Sequence, residues 1–175
     1  MPTFSVSKGA AKAAKSDVLA VPVFEGLKLG PGAKEAQDAL GSTVKELSEH
    51  VPVLGKPSKQ FKGELGDAIL VQTLGKLPAK QVLFVGMGPE KEADVGTIRR
   101  AGAMAARRVG GGKSVATTIP QAAGAPALAV RAFVGTWKSK DDWKADLSSE
   151  QAKIATEDAK SFAPPFDVVV FEQLS

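Results

Sequence analysis

The clearest candidate for chemistry in this sequence is a glycine turn that follows an apolar run. Residues 82–88 read VLFVGMG, and residues 98–109 read IRRAGAMAARRV after a short loop. This order predicts a buried strand, a tight turn and an amphipathic helix. A turn of this kind can present backbone N–H groups to a phosphate. The candidate phosphate donors are Gly86, Met87 and Gly88.

The same turn departs from a dinucleotide-binding fingerprint in two ways. The third glycine of that fingerprint is missing, and Pro89 has no N–H to donate. We therefore favour a structural turn that needs glycine torsion angles. A nucleotide or ADP-ribose site at this turn stays open as the alternative.

Four arginines share one side of the predicted helix. At about 100° per residue, the apolar residues Ile98, Ala101, Ala105 and Val109 cluster on the opposite face. The arginine ridge comprises Arg99, Arg100, Arg107 and Arg108, with Lys113 shortly beyond. A solvated helix face is the simplest interpretation. The alternatives are a strip that contacts nucleic-acid phosphates and a surface on which another domain docks.

Side chains that usually build hydrolytic or metal sites are scarce. The chain has one histidine and no cysteine, asparagine or tyrosine. These residue types supply most bases, nucleophiles and oxyanion donors, so neither a catalytic nor a metal site is predicted. His50 ends a predicted helix, where a cation complements the helix dipole. Trp137 and Trp143 flank a lysine-containing stretch and are interpreted as packing residues.

Composition points to a single cytoplasmic domain. The 175 residues are 43% hydrophobic and 24% charged, with a net charge of +4. This length predicts one domain, residues 1–175. The lack of cysteine fits a reducing compartment. No apolar run approaches the ~20 residues that a membrane span needs, and no secretory signal is recognisable at the start.

Strand and helix periodicities alternate along the chain, which is typical of an α/β sheet. Strands are predicted at residues 3–7, 17–24, 68–73, 81–85, 114–119 and 166–171. Helices are predicted at residues 33–50, 93–109 and 126–138, and from Ser148 or Ser149 onward. The expected fold class is α/β, with three αβα layers, a mixed and mainly parallel sheet, and helices on both faces.

Residues 82–88 and 98–109 resemble the strand, turn and helix of the N-terminal domain of leucyl (cytosol) aminopeptidases. The early strand DVLAVPVF, the segment GELGDAILVQT and the later GTWKSK occur in the same order as in that family. The resemblance extends to about Lys140. It implies a macro-domain-like fold, and it implies that the parent enzyme carries two divalent metal ions in a separate catalytic domain.

The family's catalytic motifs, a glycine-rich lysine motif ending in Asp-Ser-Gly-Gly and an Asn-Thr-Asp-Ala-Glu-Gly-Arg motif, are absent from this sequence. No catalytic residue therefore carries over, and the chain is expected to be an accessory domain without a cofactor. Its expected partner is the catalytic domain of a longer parent, with homo-oligomers formed through that parent. One alternative is a DNA-binding or regulatory module that uses the arginine ridge. The other is an ADP-ribose binder, against which the missing asparagine argues.

Overall fold

The computed structural model describes residues 3–7, 9–109, 113–123 and 168–172. Seven strands and three α-helices lie in these ranges, joined by four short 3₁₀ helices. The strands are β1 (Thr3–Ser7), β2 (Val18–Phe24), β3 (Lys28–Leu29), β4 (Ala68–Gln72), β5 (Gln81–Gly86), β6 (Ser114–Thr117) and β7 (Val168–Glu172). The helices are α1 (Ala33–Leu40), α2 (Val44–His50) and α3 (Val95–Val109). The predicted helix at 126–138, the start at Ser148 or Ser149, and both tryptophans lie outside the described residues.

The seven strands form one mixed sheet. Six of them follow the order β1-β7-β6-β2-β5-β4, and β3 pairs with β2. β2 runs parallel to β5 and to β6, whereas the other pairings are antiparallel. The α/β class with a mixed sheet is confirmed, but parallel pairing does not predominate as expected. β4 and β5, for example, are joined by a connection too short for the crossover that parallel strands require.

Helices cover both faces of this sheet, as predicted. Side chains alternate along β2, so that Leu19 and Val21 pack with α1 and α2 on one face. Val18 and Ala20 pack with α3 on the other face. Every residue of β2 is buried, which explains why its sequence is a continuous apolar run.

The predicted helix at 33–50 is wrong in one respect, because two helices occupy that range. Gly41 adopts a left-handed conformation (φ 72°) and ends α1. The side chain of Thr43 then accepts a hydrogen bond from Glu46 N (3.1 Å), while Thr43 N donates to Glu46 Oε2 (2.7 Å). This capping box starts α2 and outweighs the continuous apolar pattern on which the prediction was based.

Asp17 joins the beginnings of the three parallel strands. Its Oδ2 accepts hydrogen bonds from the backbone N and the hydroxyl of Ser114 at the start of β6. Its Oδ1 lies 2.7 Å from Lys80 Nζ, and its carbonyl accepts from Gln81 N at the start of β5. The hydrogen bond from Lys80, together with those from Ser114, lowers the pKa of Asp17 from 3.8 to about 2. The carboxylate form is therefore the one that the fold stabilises.

We predict that Asp17→Asn lowers the free energy of unfolding by about 1–2 kcal/mol at pH 7, allowing for the partial solvent exposure of this side chain. The folded-state pKa lies below the unfolded one, so the stabilisation is complete well above pH 4 and is lost as the pH falls toward 2. Urea unfolding across this pH range tests the prediction. Asp38→Asn, which removes an exposed carboxylate paired with Lys34 in the same helix, is the matched control and should change little. An Asp17→Asn deficit that persists at pH 2 would contradict the account.

Candidate functional site

The glycine turn at the end of β5 lies at the carboxyl ends of the parallel strands, between β2 and the outermost strand β4. Each of its three N–H groups already has an acceptor within the chain. Gly86 N donates to Asp67 O (2.8 Å), Met87 N to Val23 O (2.9 Å) and Gly88 N to Gly63 O (2.9 Å). No donor of this turn is left for an external phosphate, which favours the structural interpretation of the turn.

The acceptors belong mainly to residues 62–67, which we call the crossing segment because they pass over the ends of β2 and β5. A Cβ atom on Gly86 would overlap the carbonyl oxygen of Glu64. A Cβ atom on Gly63, whose φ is +82°, would overlap the carbonyl oxygen of Phe24. The backbones approach so closely that only glycine fits at both positions.

The opposite side of β2 is filled as well. Gly30 N donates to Pro22 O (3.0 Å), and the Thr118 hydroxyl after β6 donates to Pro31 O (2.6 Å). A Cβ atom on Gly32 would lie 2.8 Å from Ala11 Cβ and 2.9 Å from Thr118 Cγ2. In open α/β sheets, ligands bind in the crevice at the carboxyl ends of the strands where the strand order reverses. β2 is that position here, and the chain's own loops occupy both of its sides.

Asp67 is a buried carboxylate that the sequence did not single out. Its side chain is 1% exposed, and two lysines neutralise it: Lys56 Nζ lies 2.8 Å from Oδ1 and Lys59 Nζ lies 2.6 Å from Oδ2. The contact to Oδ2 lacks hydrogen-bond geometry and is ionic. Burial alone would raise the pKa of Asp67, but the hydrogen bond from Lys56 and the positive charges of Lys56 and Lys59 outweigh it and hold the pKa below its ordinary value.

Because both oxygens of Asp67 face ammonium groups, this carboxylate is neither a free base nor a metal ligand. Lys59 also pairs with Glu64 in the crossing segment (2.6 Å). The cluster therefore ties the loop before the crossing segment to the start of β4. A single Asp within the sequence GELGD carries no signal that would have revealed these lysines as its partners.

Three of the four arginines of the ridge have the predicted exposure. Ile98, Ala101, Ala105 and Val109 are buried, and Arg100, Arg107 and Arg108 are exposed. Arg99 is partly buried and engaged within the structure. The guanidinium of Arg108 lies against the loop at Gly55, where an added Cβ would be 2.9 Å from Nη1. Lys113 is exposed as well, so the ridge offers several cations to an external surface.

No metal-binding constellation is found within the described ranges. Those residues contain no group of three or more His, Cys, Asp or Glu side chains arranged to hold an ion. His50 occupies the last turn of α2, as predicted, and is exposed. The helices that the structure describes also include none that is long and apolar enough to cross a membrane.

Comparison with known proteins identifies relatives that are named cytosol aminopeptidases. A family model described as "Cytosol aminopeptidase family, N-terminal domain" matches residues 20–135. A probable cytosol aminopeptidase of Geobacter sp. (strain M21) is 31% identical over 137 residues, which cover 75% of this chain and 26% of the relative. The cytosol aminopeptidase of Pseudomonas aeruginosa is 36% identical over 78 residues, which cover 45% of this chain and 14% of the relative. The chain thus spans about a quarter or less of these relatives.

Proposed function

The chain belongs to the cytosol aminopeptidase family, because it matches the N-terminal domain of that family. We propose that it acts as the non-catalytic accessory domain of a longer cytosolic aminopeptidase. In that role it packs against a metallopeptidase domain that releases N-terminal amino acids from peptides. The observation that carries this proposal is the family match over residues 20–135. The remaining three quarters or more of each relative provide the length for a catalytic domain.

The residues that the structure describes do not fit the two divalent metal ions of the family, since they include no group of three or more His, Cys, Asp or Glu side chains that could hold an ion. Two-metal hydrolysis needs several ligands around ions that lie ~3.5–4 Å apart. The sequence offers one histidine and neither cysteine nor asparagine, and Asp67, the buried carboxylate described above, is neutralised by lysines. The metal chemistry therefore belongs to the partner domain.

The filled ends of the sheet support a structural role. Among the described residues, tightly packed backbone occupies both sides of β2 at its carboxyl end, so this end of the sheet offers a firm surface instead of a ligand crevice. A rigid domain of this kind can shape the assembly of the parent enzyme or limit the access of peptides to its catalytic domain.

We predict that the purified 175-residue chain does not hydrolyse leucyl-p-nitroanilide, with or without added manganese or zinc. The reason is the missing ligand set. The Pseudomonas aeruginosa cytosol aminopeptidase, assayed in parallel, provides the positive control. Metal-dependent release of leucine whose specific activity stays constant through purification would contradict the proposal.

A second candidate function follows from the exposed arginine ridge, which is a surface suited to DNA. Arg100, Arg107 and Arg108 project from α3 into solvent, and the chain is positively charged overall. Contacts from such a ridge go to phosphates, because nothing nearby offers a pattern that reads bases. Binding of this kind tolerates any sequence and weakens steeply with salt.

If the three exposed ridge arginines contact phosphates, the log–log salt slope of DNA binding is predicted to be about −2.7, from ~0.9 per neutralised phosphate. Replacing Arg100 and Arg107 with glutamine should flatten it by about two units without unfolding the domain. Fluorescence anisotropy with a labelled duplex measures both slopes. The control is the double variant Lys12→Gln with Lys45→Gln, which removes the same charge at two exposed sites away from α3. It should leave the salt slope of the unmodified chain almost unchanged. Absence of binding at low salt would leave the ridge as a solvated or domain-docking face.

A further inference from the structure

β4 is the outermost strand at one end of the sheet, and part of its backbone is unpaired. Asp67 O accepts from Gly86 N, and Thr73 N donates to Lys80 O. In an antiparallel pair, every second residue directs its N–H and C=O groups toward the neighbouring strand. Ile69 and Val71, which alternate with Asp67 and Thr73, therefore also direct these groups toward β5. Ala68, Leu70 and Gln72 point theirs away from the sheet.

The outward groups are only partly satisfied. Leu54 N donates to Ala68 O (2.8 Å), which closes one end of the strand. Within the part of the chain that the structure describes, the N–H and C=O groups of Leu70 and Gln72 have no partner. Four adjacent backbone groups therefore remain open along one edge.

This edge lacks the features by which proteins usually protect an outer strand. Such strands commonly carry a lysine, a proline or a bulge that prevents pairing with another chain. The sequence of β4 is AILVQ, without charge or proline, and its register against β5 is continuous. Leu70 and Val71 are partly exposed and lie on opposite faces of the sheet, so one apolar side chain on each face borders the open hydrogen-bonding groups.

A second feature lies at the end of the same strand. Leu74 has a φ of 51° and precedes Gly75, whose φ is 82°, and Lys76 N donates to Thr73 O (3.0 Å). Two consecutive positive φ angles are typical of a type I′ turn, whose preferred sequence is Asn-Gly. A leucine is strained in this conformation, and here it is also 88% exposed. Leu74 therefore adds one exposed apolar side chain just beyond the open edge of β4.

We propose that β4 pairs with β4 of a second copy of this chain, antiparallel about a two-fold axis at Val71. In this register Leu70 of one protomer faces Gln72 of its partner, and the reverse pair forms by symmetry. All four open groups of each protomer are then used. The new ladder ends at Ala68, because Leu54 N already donates to Ala68 O. Because the strand is uncharged, self-pairing brings no like charges together.

Single cysteines test this register, because the chain contains no other cysteine. Val71 would face its own counterpart as a non-hydrogen-bonded pair with Cα atoms about 4.5 Å apart, within the range of a disulfide. Val71→Cys should therefore give a covalent dimer on mild oxidation. Gln72→Cys is the matched control: it lies one residue further along and faces Leu70 of the partner, so the two cysteines sit too far apart and should cross-link at least tenfold less. Equal cross-linking at both positions, or none at position 71, would overturn the proposed register.

Sedimentation equilibrium of the unmodified chain tests the association itself. We expect a reversible dimer that Gln72→Pro weakens at least tenfold, because proline removes an outward N–H without touching the ladder to β5. Gln72→Ala keeps that N–H and should dimerise like the original chain, and circular dichroism confirms that each variant is folded. A chain that remains monomeric at about 1 mM, the range of very weak complexes, would overturn the proposal.

Discussion

The rest of this structure depends on the close approach of the crossing segment to the ends of β2 and β5. Gly63 and Gly86 leave no space for a side chain between these backbones. The approach lets Gly88 N reach Gly63 O and Gly86 N reach Asp67 O. It also buries the Asp67 carboxylate. A buried charge would be costly without the ion pairs to Lys56 and Lys59. The geometry of the turn, the burial of the carboxylate and the position of β4 thus follow from one steric constraint.

This constraint also distinguishes the domain from α/β sheets that bind a ligand at the ends of their strands. A parallel strand flanked by partners on both sides normally leaves a crevice at its carboxyl end. Here the crossing segment fills one side of β2, and the loop through Gly30 and Pro31 fills the other. The two surfaces for which we propose functions, the arginine ridge and the outer edge of β4, both lie away from this filled end of β2.

Much of the framework could be predicted from the sequence, because it rests on local periodicity. The buried strands around residues 17–24 and 81–85 and the phasing of α3 follow directly from apolar spacing. The break at Gly41 was missed because helical periodicity continues across it. The 3₁₀ helix Ile119–Ala123 replaced the end of the predicted strand at 114–119, since the chain leaves the sheet after Thr117.

The candidate site was harder to predict, since its partners are distant in the sequence. The motif at residues 82–88 marks the turn, but the acceptors of its N–H groups come from Val23, Gly63 and Asp67. No local pattern shows that these groups are already used. The same limit applies to the lysines around Asp67, because ordinary surface residues and buried ion-pair partners look alike in a single sequence.

The central claim is that the chain itself closes the crevice at the carboxyl end of β2. Hydrogen exchange at the amides of Gly86, Met87 and Gly88 tests this claim most directly. The account predicts that all three amides exchange as slowly as those in the interior of β5, because each opens only with the sheet. Adding ADP-ribose should leave their exchange unchanged. Rapid exchange at these amides, or protection that appears only with ADP-ribose, would show that the donors are free for a ligand and would contradict the account.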